Sequence, residues 1–133
     1  MKILFVCKYN RFRSKIAEAL FLHYNKRRDI EVKSGGIIID PIRPFVSKAV
    51  IDLLRDRGIR VLDNKSKLIS AEVIVWANKI ILVADDVPLD YFPPEKIYAW
   101  PIPDVHENDK ISILLTMNKI EEYVRQFVKR LNI

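Results

Sequence analysis

The 133-residue chain holds one cysteine, Cys7, so no internal disulfide can form. It has no C-x-x-C motif and no Cys/His cluster, which removes the usual zinc patterns. No stretch approaches the ~18 apolar residues of a membrane span. The apolar start, MKILFVC, is too short for a secretory signal. There is no internal repeat, linker or low-complexity tract. These absences exclude a disulfide scaffold, a zinc module and a repeat array. They lead us to expect a soluble cytoplasmic protein, without metal, cofactor or membrane contact, in which a free thiol stays reduced.

What is present is a chain 50% hydrophobic and 30% charged, expected to form a single globular domain over residues 1–133. The net charge of +6 and the pI of about 9.5 favour anionic partners. The basic residues are scattered and no nucleic-acid-binding motif accompanies them, so nucleic acid is not the expected partner.

Strand and helix patterns alternate. Lys2–Val6 is a short apolar run read as a buried strand. Ser14–Asn25 follows with Ile16, Ala17, Leu20, Phe21 and Tyr24 at helical spacing, Ser14 standing near its cap. Ile30–Lys33 reads as a second strand, closed by Ser34-Gly35-Gly36. Pro44–Arg57 reads as a helix ended by Gly58, and Ser70–Ala77 as a short helix with a serine cap. Lys79–Val83 and Ile97–Trp100 read as strands separated by a turn-rich stretch, Asp85–Pro94. Ile111–Leu131 reads as the last helix. The alternation predicts an α/β, three-layer fold with a four-stranded parallel sheet and helices on both faces. Ligands of such sheets bind beyond the carboxyl ends of the strands, where the loops after Val6 and Trp100 would meet.

The loop after the first strand runs Cys7-Lys8-Tyr9-Asn10-Arg11-Phe12-Arg13 and leads into Ser14. Loop amides and a helix N-terminus gathered around one point form an anion nest, and the same field favours a thiolate over a thiol. Arg13 adds a planar fork matched to two phosphate oxygens. Ser14 would donate its hydroxyl to the sulfur. Asn10 would organise the loop by bonding Ser14 or Ser34. Lys8, Tyr9 and Arg11 would project from the loop and shape the pocket rim. A free cysteine is otherwise most often a small buried hydrophobe, and C-x5-R is frequent by chance. Its place between strand and helix, followed by serine, points to chemistry.

Val6-Cys7-Lys8-Tyr9-Asn10-Arg11-Phe12-Arg13-Ser14-Lys15-Ile16-Ala17-Glu18 resembles V-C-x-G-N-x-C-R-S-P-x-A-E of the low-molecular-weight protein tyrosine phosphatases and the related arsenate reductases. Cys7, Asn10, Arg13, Ser14, Ala17 and Glu18 match. Ser34-Gly35-Gly36-Ile37 resembles the family's S-A-G-T, Leu54 to Gly58-Ile59 its L-x-x-x-G-I, and Trp100 to Asp104 falls where its acid loop lies. The resemblance implies a flavodoxin-like strand order and hydrolysis of a phosphomonoester through a phosphocysteine. The expected partner is a phosphotyrosine protein, a small aryl phosphate or another phosphate-like anion. Four positions depart from the pattern: Tyr9 replaces a glycine, where the backbone would need an unusual conformation, Phe12 the second cysteine, Lys15 the proline after the serine, and Val105 the proline after the acid.

Thiolate attack on phosphorus needs an acid for the leaving oxygen and then a base for water. Asp104 is the candidate, because PIPD follows the fourth strand. Asp40-Pro41 reads as a turn element, and Asp85, Asp86 and Asp109 have less positional support. His23 reads as helix surface, His106 as loop, Trp100 as core or pocket wall and Tyr123 as packing. Two rivals remain at this point: arsenate reduction with an external thiol, since one cysteine cannot relay internally, and a non-catalytic phosphate- or phosphoprotein-binding module.

Overall fold

The computed structural model describes residues 1–132. Four parallel strands, β1 (Lys2–Cys7), β2 (Glu31–Gly36), β3 (Lys79–Val83) and β4 (Ile97–Trp100), form one sheet in the order β2-β1-β3-β4. The α-helices are α1 (Arg13–Tyr24), α2 (Lys48–Asp56), α3 (Ala71–Trp76) and α4 (Lys110–Leu131). The two central strands, β1 and β3, are apolar and buried almost throughout because both faces of the sheet are covered there, whereas the edge strands β2 and β4 are partly exposed. Ile3, Phe5, Ile81, Val83 and Trp100 face α1, α2 and α4 in the larger cluster. Leu4, Val6, Ile80 and Leu82 face α3 and Phe92 in the smaller one. Trp100 lies in the core and stacks on Tyr123 at 5.2 Å. This is the predicted architecture. No described helix is long and apolar enough to cross a membrane.

The boundaries of β3 and β4 match the reading, and Gly58 has the positive φ expected after a helix, +76°. Three others do not match. Strand β2 runs on through Ser34-Gly35-Gly36, which pair with Phe5, Val6 and Cys7 instead of turning away. Those glycines serve close approach. A Cβ on Gly35 would stand 2.7 Å from Ile69 Cγ2, and one on Gly36 2.8 Å from the Tyr9 carbonyl carbon. Helix α2 starts at Lys48, not Pro44, because Phe45 forms an antiparallel bridge with Lys65 and the Ser47 N–H donates to Arg11 O. Helix α1 is preceded by Phe12, so Ser14 is not its cap.

Candidate active site

Cys7 is the last residue of β1 and is buried. Its Sγ lies 2.9 Å from Ser14 Oγ on the first turn of α1. The neighbours of that contact fix the orientation of the Asn10 amide. The Lys67 N–H, which can only donate, bonds Asn10 Oδ1 at 2.9 Å and so turns the amide nitrogen toward the serines. Asn10 Nδ2 then donates to Ser14 Oγ at 2.7 Å and to Ser34 Oγ at 3.1 Å. Ser14 Oγ accepts from Asn10 and keeps one proton, which it can donate to the sulfur when Cys7 is a thiolate. Ser34 in turn donates to Glu18 Oε1 at 2.8 Å.

Both hydrogen bonds expected of Asn10 are present, but the strained backbone is on Asn10 itself and not on Tyr9. Asn10 is the only described non-glycine residue with positive φ, 54°. Asparagine tolerates that region better than tyrosine would. The main-chain N–H groups of Tyr9, Asn10, Arg11 and Phe12 have no acceptor among the described residues. Phe12 supplies no oxygen to cap α1, so the N-terminal end of the helix also stays open to an anion.

Arg13 is 1% exposed. Its Nη1 donates to Ile102 O at 2.8 Å, and its Nη2 lies 3.0 Å from Asp86 Oδ1 and 3.7 Å from Asp104 Oδ1. Asp85 stands 3.9 Å from Nη1. The buried Nε has no partner. Asp104 is half-exposed and joins Cys7, Tyr9, Arg11, Phe12 and Arg13 around one narrow cavity. A wider cavity of about 440 Å3 shares Tyr9, Arg11, Phe12 and Asp104 and adds Asp40, Arg43, Val105 and Glu107.

Arg11 does not project into solvent as expected. It is 2% exposed, pinned by Nε to Phe45 O at 2.9 Å and by both Nη atoms to Glu107 at 2.7 and 3.0 Å. The Arg11 guanidinium holds the Glu107 carboxyl below its ordinary range. Lys8 and Tyr9 are partly exposed, with the Lys8 ammonium 5.2 Å from the Tyr9 ring centre, so these two do form rim. Asp40 is a turn element: it accepts the Ile42 and Arg43 N–H groups, which lower its pKa. His23 and His106 are on the surface.

Sequence reasoning missed four neighbours of the site. Asp86, an acid candidate with less positional support than Asp104, pairs with Arg13 instead. Its position directly beyond β3, at the same sheet edge, was the available signal. Glu18 was part of the matched motif without a role. Lys15 was read as a missing proline, yet it is buried, with Nζ 3.2 Å from Asp63 O and 3.4 Å from Glu18 Oε1. Glu107 carried no signal beyond its loop. No group of three or more potential metal ligands exists among the described residues.

The fold is a parallel α/β sheet that carries its one cysteine, and the loop from Cys7 to Arg13, at the carboxyl edge of β1. The chain belongs to the family described as low molecular weight phosphotyrosine protein phosphatase, whose model matches residues 2–87. The fold is shared with the YwlE arginine phosphatase from Geobacillus stearothermophilus (22% identity, 98% of this chain and 92% of that one, TM-score 0.84). It is shared also with a low molecular weight phosphotyrosine phosphatase from Vibrio cholerae O395 (20%, 99% and 97%, 0.88) and an arsenate reductase from Archaeoglobus fulgidus (24%, 96% and 98%, 0.79). No curated protein matches the chain in sequence.

Proposed function

We propose that the protein hydrolyses aryl phosphomonoesters, phosphotyrosine among them, through a phosphocysteine. The observation that carries this reading is the 2.9 Å Cys7–Ser14 contact, which puts a hydroxyl in reach of the sulfur, beside a cavity that Cys7, Arg13 and Asp104 line. The phosphoryl oxygens would meet the unpaired N–H groups of Tyr9 to Phe12 and the free Nε of Arg13. The Cys7 thiolate forms the S–P bond as the P–O bond to the leaving group breaks, and Asp104 gives that oxygen its proton. Asp104, now a carboxylate, takes a proton from water, which attacks phosphorus and expels the thiolate with Ser14 donating to it. The thiolate and the acid end as they began, one water is consumed, and inorganic phosphate leaves.

Aryl rather than guanidino leaving groups are favoured by the charges at the mouth. Asp40, Asp104 and Glu107 are the carboxylates lining the mouth that would receive a substrate guanidinium. Each already faces an arginine of the chain, Asp40 facing Arg43 at 3.4 Å, Glu107 facing Arg11 at 2.7 Å and Asp104 facing Arg13 at 3.7 Å. The Tyr9 and Phe12 rings offer an aryl group apolar walls.

The test is steady-state release of phosphate from a phosphotyrosine peptide, phenyl phosphate and phosphoarginine. Cys7→Ser is expected to keep below about 1% of wild-type turnover while still binding phosphate, since a neutral hydroxyl is a poor nucleophile. Higher residual turnover refutes the phosphocysteine. Preference for phosphoarginine refutes the aryl assignment alone. Binding without turnover in the wild type leaves a phosphate-binding module.

A further inference from the structure

Residues 101–109, which carry Asp104, hang between β4 and α4. Little secondary structure fixes them. Ile102 is buried and Val105 packs on the core, but Pro103, Asp104 and His106 are exposed. Two charged side chains of the Cys7 loop reach this stretch: Arg13, with Nη1 on Ile102 O at 2.8 Å and Nη2 3.7 Å from Asp104, and Arg11, whose two-pronged contact with Glu107 joins residues 96 positions apart in the chain. Arg11 is fixed at its other end by Phe45 O. Arg43 stands 4.0 Å from the same carboxylate. A two-pronged guanidinium–carboxylate pair fixes orientation as well as distance, and burial of the Arg11 side chain limits screening by salt.

We propose that Arg11 and Glu107 are positioning residues that latch the Asp104 loop against the phosphate loop, so that the carboxyl of Asp104 stays in reach of the leaving oxygen. This rests on the reading of Asp104 as the general acid. Neither residue touches the reacting atoms. The latch acts through Asp104, three positions before Glu107. Displacing a proton donor by an ångström removes most of its benefit, while the anion nest, built from residues 7–14, is left intact.

The inference has a signature that a merely structural role would not produce. Phenyl phosphate expels a basic phenolate and needs the proton, whereas p-nitrophenyl phosphate expels a stabilised phenolate and needs it less. The readout is the ratio of kcat/KM for p-nitrophenyl over phenyl phosphate, because kcat/KM reports formation of the phosphocysteine and not its hydrolysis. Glu107→Gln keeps the shape and loses the charge. It is expected to raise the ratio roughly fivefold or more, with the inhibition constant of inorganic phosphate held within about twofold. Arg11→Lys keeps the charge and loses the fork, and it should raise the ratio by a smaller factor. The double variant should add nothing to Glu107→Gln, since the two act as one unit.

Asp104→Asn is run beside them. If it raises the ratio and Glu107→Gln does not, the latch is overturned and the acid stands. If Asp104→Asn leaves the ratio unchanged, the acid assignment fails and takes the latch with it. An equal loss on both substrates in Glu107→Gln, with weakened phosphate inhibition, marks damage to the phosphate loop and also overturns the proposal.

Discussion

Gly36 shows how a single residue shapes the loop above it. A Cβ there would stand 2.8 Å from Tyr9 C, 2.9 Å from Asn10 N and 2.9 Å from Lys8 O, all main-chain atoms that cannot swing aside. Gly36→Ala is therefore expected to push the Cys7 loop away from β2. It should lose at least about tenfold in kcat/KM and about 1–3 kcal/mol of stability by denaturant titration. Gly58→Ala is the contrast. Nothing lies within 4 Å of its Cβ site, and φ is +76°, so the cost is the left-handed backbone alone, about 1 kcal/mol, with kcat unchanged. Full activity in Gly36→Ala would show that the loop does not lean on β2. At this scale the sequence was legible where spacing within the loop carried the chemistry, at Cys7, Asn10, Arg13 and Ser14. It was not legible for Arg11 or Lys15, whose burial depends on Glu107 and on Glu18 with Asp63 O, partners brought close by the fold.

Elements were readable where their reasons are local. β3 and β4 announce themselves by apolar runs between turns, and α3 by Ser70, whose hydroxyl accepts the Val73 N–H. The errors at Ser34–Gly36 and Pro44–Ser47 have long-range causes. The first segment pairs with β1, and the second ties to Lys65 and Arg11. Helix α4 begins at a local signal that was passed over as an acid candidate. Asp109 accepts the Ser112 N–H at 3.0 Å and its hydroxyl at 2.7 Å. Those bonds lower the Asp109 pKa, the main-chain one most. A carboxyl whose folded pKa is depressed stabilises the fold above its unfolded pKa and loses that contribution as pH falls through the folded value. Asp109→Ala should thus lower Tm at pH 7, and the gap from wild type should narrow as the pH drops below the ordinary carboxylate range of about 4. A gap that widens in acid would show that the cap does not act through its charge.

On the scale of the whole molecule, four separate stretches converge on one sheet edge. They are the Cys7 loop, the Asn64–Lys67 segment that bonds Asn10 and Val46, Asp85 and Asp86 after β3, and residues 101–109 after β4. Arg13 bridges the last two but keeps a buried, unpartnered Nε. A buried donor without an acceptor costs free energy, and an anion seated in the loop would supply one. Inorganic phosphate should therefore bind the folded state selectively and raise Tm by mass action. At about one hundred times Kd the gain is about 2.7 kcal/mol, which is several degrees for a chain of this size. Phosphate also stabilises proteins generally by exclusion from their surfaces, so the comparison must be internal. Cys7→Ser, which keeps the amides and the guanidinium, should retain the shift. Arg13→Lys preserves the charge but not the fork or the Nε donor, and it should lose most of the shift. Thermal unfolding at fixed ionic strength, with chloride exchanged for phosphate, reads the difference. Equal shifts in wild type and Arg13→Lys would mean that the stabilisation comes from the solvent, and that the guanidinium does not hold the anion.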